Sequence, residues 1–477
     1  MKGLILSAFF LFFIGCSSVS DMDEDVPVLD NIPNKWKTDY ENDYGIDRVW
    51  PTSIDSSMYY LIDEFNNNNK DILLLDLKEN ISLAYYNMSK SLLFPEFSAR
   101  ISVDESQQNV SSLPFEVEED SGLDDLLDSG SLKSTTGSFK FSTRWELDLW
   151  GRIRDSKKSS FYSMMSDSYD IFYAKASLRG QFIKLYLSIV EVKEQIGILE
   201  DNLANLLSIK EISEKRVLKG ISSPDEVYIA SANYYRYQSE LTILKYQYQK
   251  LVQNISLLLG RYLDGLGEIN FKYPDDIHDF DDNISSNLLQ RRPDILSAKS
   301  RIFSSHLKLR SDKKILFPSI QLSGSVGPLS KLGSSSDLKN LTNEDFLTWN
   351  FGLGILEPIF KGGQIKNNIK ISEFNLHSSE LEYVKIVMNS IYEADDFIGR
   401  DANLEDVYLE ISQSKKDIEK AVEYAKNSYE LGLVDLMYLL NTQQQLYAIS
   451  IQENRVLSDR YRNKIDLILS IGGSLEY

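Results

Sequence analysis

Few residues in this 477-residue chain are equipped for chemistry. The three histidines, His278, His306 and His377, are scattered, and there is one cysteine, Cys16. That set makes neither a cysteine-ligated metal site nor a disulfide within the chain. No Gly-rich phosphate loop, nucleophile elbow or metalloprotease motif is present, so the residues assemble no acid–base or metal constellation and imply no cofactor. The chain carries 71 acidic against 51 basic residues, a net charge of -20. That balance speaks against nucleic acid, which requires a basic stripe. It fits a solvated surface, or a lumen that favours cations.

Cys16 has a chemistry of its own. Met1-Lys2 precedes an apolar run from Leu4 to Ile14, followed by Gly15-Cys16-Ser17-Ser18. A short basic start, an apolar stretch too short to span a bilayer and small residues at a cleavage point form a signal peptide over 1–15. The placement resembles a bacterial lipoprotein signal with Cys16 as the lipidated first residue, although Phe13 stands where that pattern prefers leucine. Ser17 carries no inner-membrane retention signal, which points to the outer membrane. No later stretch reaches the roughly 18 apolar residues of a membrane helix.

The elements come in two copies. Arg216-Val217-Leu218-Lys219-Gly220-Ile221-Ser222-Ser223 returns in outline as Ser428-Tyr429-Glu430-Leu431-Gly432-Leu433-Val434-Asp435. Forty residues after each glycine comes another, Gly260 and Gly472, and Leu93-Phe94-Pro95 returns as Leu316-Phe317-Pro318. Such a repeat predicts a pseudo-symmetric architecture.

Leu178, Phe182, Leu185, Ile189, Val192, Ile196, Leu199, Leu203 and Leu206 recur at 4-3 spacing. That is a coiled-coil seam. It predicts a helix over about 155–219, on the order of 100 Å long at 1.5 Å per residue. A second follows over about 366–431, and shorter helices over 224–259 and 436–470. Gly220 and Gly432 sit where left-handed helix ends are wanted. Ser223 with Pro224 and Glu226 reads as a capping box, and Asp435 as the matching N-cap.

Strands are expected at the other end of these rods. From Phe139 to Leu149 the odd positions are mostly aromatic or aliphatic and the even positions polar or charged. Similar alternation runs over 97–103, 319–326 and 349–355. An apolar face backed by a polar one suits a membrane barrel with lipid outside and water inside. Four strands are too few, since single-chain barrels need at least about eight and lipid tolerates no open edge. Several chains must therefore contribute to one barrel; the count does not say how many. The polar stretches 104–137 and 329–346 read as exposed loops.

These features meet in motifs. Trp145-Glu146-Leu147-Asp148-Leu149-Trp150-Gly151-Arg152-Ile153, Arg291-Arg292-Pro293-Asp294-Ile295 and Glu357-Pro358-Ile359-Phe360-Lys361-Gly362-Gly363 resemble signatures of TolC-like outer membrane efflux proteins, in their lipoprotein branch. The resemblance covers the mature chain. It implies a mainly α fold with a membrane β-barrel: long coiled-coil helices forming an α-barrel tunnel, and four strands per chain in a trimeric 12-stranded barrel. It divides the chain into an N-terminal segment with the first helices (16–90), a first strand pair (91–152), a first long helical hairpin (153–260), an equatorial region and linker helix (261–314), a second strand pair (315–362), and a second hairpin with the C-terminus (363–477). The implied protein is no enzyme. It is the passive exit duct of a tripartite pump, working with a periplasmic adaptor and an inner-membrane transporter. A protein-secretion duct, or a structural coiled-coil envelope lipoprotein, are the alternatives.

The same resemblance places a gate and the adaptor contacts at the hairpin tips: Gly220, Asp225, Glu226, Tyr429, Gly432, Asp435, Tyr438 and Asn441. The family commonly rings the mouth with carboxylates six and nine residues after the second glycine, where this chain has Tyr438 and Asn441. Val434 replaces the basic residue sometimes found two after that glycine, and Lys299 stands where a glutamate usually follows the Arg-Pro-Asp motif. The departures predict a mouth held by packing and neutral hydrogen bonds, with Tyr429 and Tyr438 as the groups that hold it.

Overall fold

The structure is a computed structural model that describes residues 56–109, 131–261, 269–274, 291–331 and 344–473. The signal segment with Cys16 lies outside the described residues, as do 110–130 and 332–343 of the expected loops.

Two helices open the described chain, α1 (Ser56–Asn68) and α2 (Lys70–Ser91). Asn69 turns the corner between them. Its side chain accepts from the Asp71 and Ile72 N–H groups and donates to the Leu258 carbonyl at 2.9 Å. Strands β1 (Glu96–Asn109) and β2 (Ser131–Leu147) follow, then α3 (Arg152–Leu218) and α4 (Asp225–Leu258). The second copy consists of α5 (Pro293–Lys313), β3 (Ser319–Lys331), β4 (Leu347–Leu356), α6 (Gln364–Glu430) and α7 (Leu436–Ser470). α3 and α6 are 67 residues each, about 100 Å of helix. The seam of α3 is packed: Phe182, Ile189, Leu199 and Leu206 are almost wholly buried against α1, α4, α6 and α7.

The repeat extends to the way its helices end. Gly220, Gly260, Gly432 and Gly472 all have φ between 70° and 88°. After each, the next N–H closes a bond back into the last turn, as in Ile221 to the Arg216 carbonyl and Leu433 to the Ser428 carbonyl, both at 2.9 Å. A side chain at these positions would be forced into the left-handed region, which only glycine enters freely.

The four strands form one antiparallel sheet in the order β1-β2-β3-β4. Phe97, Ile101, Phe141, Val326, Trp349, Phe351 and Leu353 share a face and are exposed. The outer edges of β1 and β4 have no partner among the described residues. β1 and β2 reach further than their apolar alternation: Asp104 to Asn109 pair with Thr136 to Ser131, inside the stretch expected to be loop. Backbone pairing needs no apolar face, so the ladder continues past the apolar band.

The tryptophan motif is the joint between the sheet and the long helices. The Arg152 guanidinium donates to Glu146 at 2.9 and 3.0 Å. Asp148 accepts from the Ile153 and Arg154 N–H groups at 2.9 and 2.8 Å, capping α3 from outside, while Gly151 turns the chain at φ 73°. The Trp145 indole donates to the Leu93 carbonyl and the Trp150 indole to the Pro318 carbonyl, so each Leu-Phe-Pro copy receives one tryptophan. The Arg-Pro-Asp motif is a second joint. Buried Arg292 binds Asp294, the Ser470 carbonyl and, at 2.9 Å, Glu393 of α6. Glu393 thus supplies the further carboxylate, and Lys299 lies instead over the Phe303 ring.

Candidate functional site at the hairpin tips

The tips are where α3 turns into α4 and α6 into α7. Below them lies an apolar cluster that includes Leu203, Leu206 and Ile209 of α3, Ala230 of α4, Ala425 of α6 and Leu436 and Leu439 of α7. Tyr429 of α6 closes this cluster and is fully buried.

A buried tyrosine must place its hydroxyl. The Tyr429 hydroxyl donates to Glu226 Oε2 at 2.7 Å and lies 2.9 Å from Ser213 Oγ. Ser213 also reaches the Ile209 carbonyl at 3.0 Å. A phenol has one proton. With that proton on the carboxylate, the single Ser213 proton serves either the Tyr429 hydroxyl or the Ile209 carbonyl, not both at once. Burial pushes the Tyr429 hydroxyl above its ordinary pKa; Glu226 adds to the rise, and the Ser213 bond and Arg216 oppose it.

Arg216, in the last turn of α3, completes the set. Its guanidinium lies over the Tyr429 ring, 4.6 Å from the centroid, and donates to the Tyr429 carbonyl. That carbonyl belongs to the last turn of α6, where a cation also meets the negative end of the helix dipole. One chain thus locks three helices: Arg216 and Ser213 from α3, Glu226 from α4 and Tyr429 from α6.

Among the expected tip residues, the structure brings Glu226 and Tyr429 together and places Gly220 and Gly432 at the turns, with φ of 70° and 78°. Asp225, Asp435, Tyr438 and Asn441 are exposed. Asp435 caps α7, accepting from the Tyr438 N–H at 2.7 Å. One expectation is corrected. Pro224 rather than Ser223 is the N-cap of α4 and no side chain caps the helix; the Glu226 carboxylate goes to Tyr429 rather than back to the turn. Within the chain a guanidinium and a carboxylate both bear on Tyr429. Sequence reasoning missed Arg216 and Ser213. A basic residue in the last turn of a helix is ordinary, and nothing in the spacing aims it at a tyrosine 213 positions away.

Two helices of about 100 Å, each folded back on a helix about half as long and joined to a sheet with one apolar exposed face, have the layout of a membrane-channel subunit. The outer membrane efflux protein family model matches residues 61–261 and 284–473, and the chain belongs to that family. It is similar to the pyoverdine export outer membrane protein OpmQ of Pseudomonas putida, 23% identical over 429 residues that cover 89% of this chain and 88% of that protein. It is similar also to the probable outer membrane lipoprotein SilC of Salmonella typhimurium, 23% identical over 429 residues, 88% of this chain and 86% of that one. Among solved structures, the outer-membrane channel OprN superimposes with a TM-score of 0.81 at 19% identity, covering 93% of this chain and 96% of that chain.

Proposed function

We propose that three copies of this chain form the outer-membrane exit duct of a tripartite efflux pump, through which exported small molecules pass passively to the outside. The observation that carries this reading is the four-stranded sheet with an exposed apolar face and two edges that have no partner among the described residues. In lipid those edges must be satisfied by other strands, and three copies give the 12 strands of a closed barrel. On this reading the tunnel lies in the periplasm, the tips meet a periplasmic adaptor, and an inner-membrane transporter supplies the energy. Cys16 anchors the chain to the outer membrane through lipid, in keeping with the lipoprotein name of SilC. The tip cluster of Arg216, Ser213, Glu226 and Tyr429 is the candidate gate, with Gly220, Asp225, Gly432, Asp435, Tyr438 and Asn441 on the surface offered to the adaptor.

The test is made on the full chain extracted in mild detergent. A complex with the mass of three chains, converting to the monomer on heating and conducting ions across a planar bilayer, is the expected result. A monomer, or a complex that does not conduct, overturns the reading. Deleting the gene should also make cells retain a fluorescent efflux dye.

A further inference from the structure

The sheet has a second face, opposite the exposed aromatics. At its centre Arg100 of β1 stands directly across from Lys140 of β2, and Arg144 lies two positions further along the same face of β2, beyond Ser142 and in register with Glu96. Like charges placed opposite one another weaken a sheet, so a pair of this kind has a cost that the fold does not require. None of the three makes an ion pair with another described residue. The acids on this face do little to offset them. Glu96 is the register partner of Arg144 but forms no ion pair with it, Glu146 is held by Arg152, and Asp104 accepts from Ser102. Lys331 adds a further positive charge, in register with Thr136. The neighbours are small and polar: Ser98, Ser102, Ser138 and Ser142 flank the basic residues, which leaves the side chains room to face water.

The height of the cluster matters. Arg100 is three residues from Phe97 and three from Val103, so it lies about 10 Å from either end of the apolar band at a strand rise of 3.3 Å. A basic cluster backed by a lipid-covered wall has its field focused into the water-filled interior rather than screened from both sides.

The geometry points to a cationic collar, formed by Arg100 and Lys140 at mid-height of the barrel lumen with Arg144 further along the same face, that binds small soluble molecules carrying clustered phosphate or carboxylate groups. This rests on the barrel reading proposed above. It gives the exit section the opposite sign to the chain as a whole, whose net charge is -20. The ligand is a soluble anion rather than a lipid phosphate, because the collar is on the face turned away from the exposed aromatics.

The test is calorimetric titration of inositol hexakisphosphate, as a probe polyanion, into the detergent-solubilised full-length oligomer. The wild type is expected to bind, with affinity falling as salt rises. The triple variant Arg100→Ser, Lys140→Ser, Arg144→Ser should weaken binding by roughly tenfold or more. Serine already fills much of this face, so the variant should keep its heat-modifiable oligomer. If it does not assemble, Arg100→Ser alone decides, with a smaller loss expected. A heat-modifiable wild-type oligomer that does not bind the probe, or variants that bind it as tightly as the wild type, overturn the collar and leave the duct standing. A wild type that forms no such oligomer overturns both.

Discussion

At the scale of single residues, the tip contact turns on three side chains meeting Tyr429. Removing the Arg216 guanidinium loses its contact with the ring, its bond to the Tyr429 carbonyl and its charge at the end of α6. Together these amount to roughly 2 kcal/mol or more. Tyr429→Phe keeps the ring in the apolar cluster and loses only the hydroxyl bonds to Glu226 and Ser213. Tyr438 is exposed, and its hydrogen bonds run through its backbone: its N–H donates to Asp435 and its carbonyl accepts from the Thr442 hydroxyl. Single-channel conductance of the reconstituted oligomer should therefore rise most for Arg216→Ala, less for Tyr429→Phe and little for Tyr438→Ala. The reverse order would place the gate on the exposed tip surface rather than on this cluster.

At the scale of elements, the long helix and the sheet make different demands. Ile189 is fully buried in the cluster that α3 forms with α1, α4 and α7. An aspartate there would put an uncompensated charge in an apolar seam, at a cost of several kcal/mol. Ile189→Asp is expected to abolish the heat-modifiable oligomer on a gel. In the sheet, β3 runs so close to β2 at Gly327 that an added Cβ would lie 1.8 Å from the Phe139 carbonyl oxygen. At Gly220 an added Cβ meets nothing within 4 Å, and only the left-handed backbone resists it. Gly220→Ala should therefore cost about 1–2 kcal/mol and still assemble, whereas Gly327→Ala should fail to form the barrel. Equal assembly of the two variants, scored by the same gel, would show that β2 and β3 do not approach this closely.

At the scale of the whole molecule, two kinds of anchor are expected to hold the duct. A lipidated Cys16 carries several acyl chains, enough for stable membrane attachment, while the exposed face of the sheet enters the bilayer on its own account. Metabolic labelling with a fatty acid should mark the wild type and not Cys16→Ser. The variant should nevertheless fractionate with the outer membrane, since the barrel remains. Release of Cys16→Ser into the soluble fraction would mean that the sheet does not hold the chain in lipid.

Most of the architecture was legible from local signals. The repeat, the helix-ending glycines, the 4-3 seam and the strand alternation each depend on residues near one another in sequence, and they placed the long helices within three residues of where they lie. On the barrel reading, the strand count alone calls for more than one chain, because unsatisfied backbone edges are not tolerated in lipid. Tertiary structure decided the partnerships across long separations. Arg216 reaches Tyr429 across 213 residues, Arg292 takes its second carboxylate from Glu393, and Glu226 leaves its own helix end for a tyrosine on another helix. It also set Arg100 opposite Lys140, because strand register depends on how the sheet assembles and not on either strand alone. Periodicity reports which face of an element is buried. Which polar group that face then meets follows only once the helices and strands are packed together.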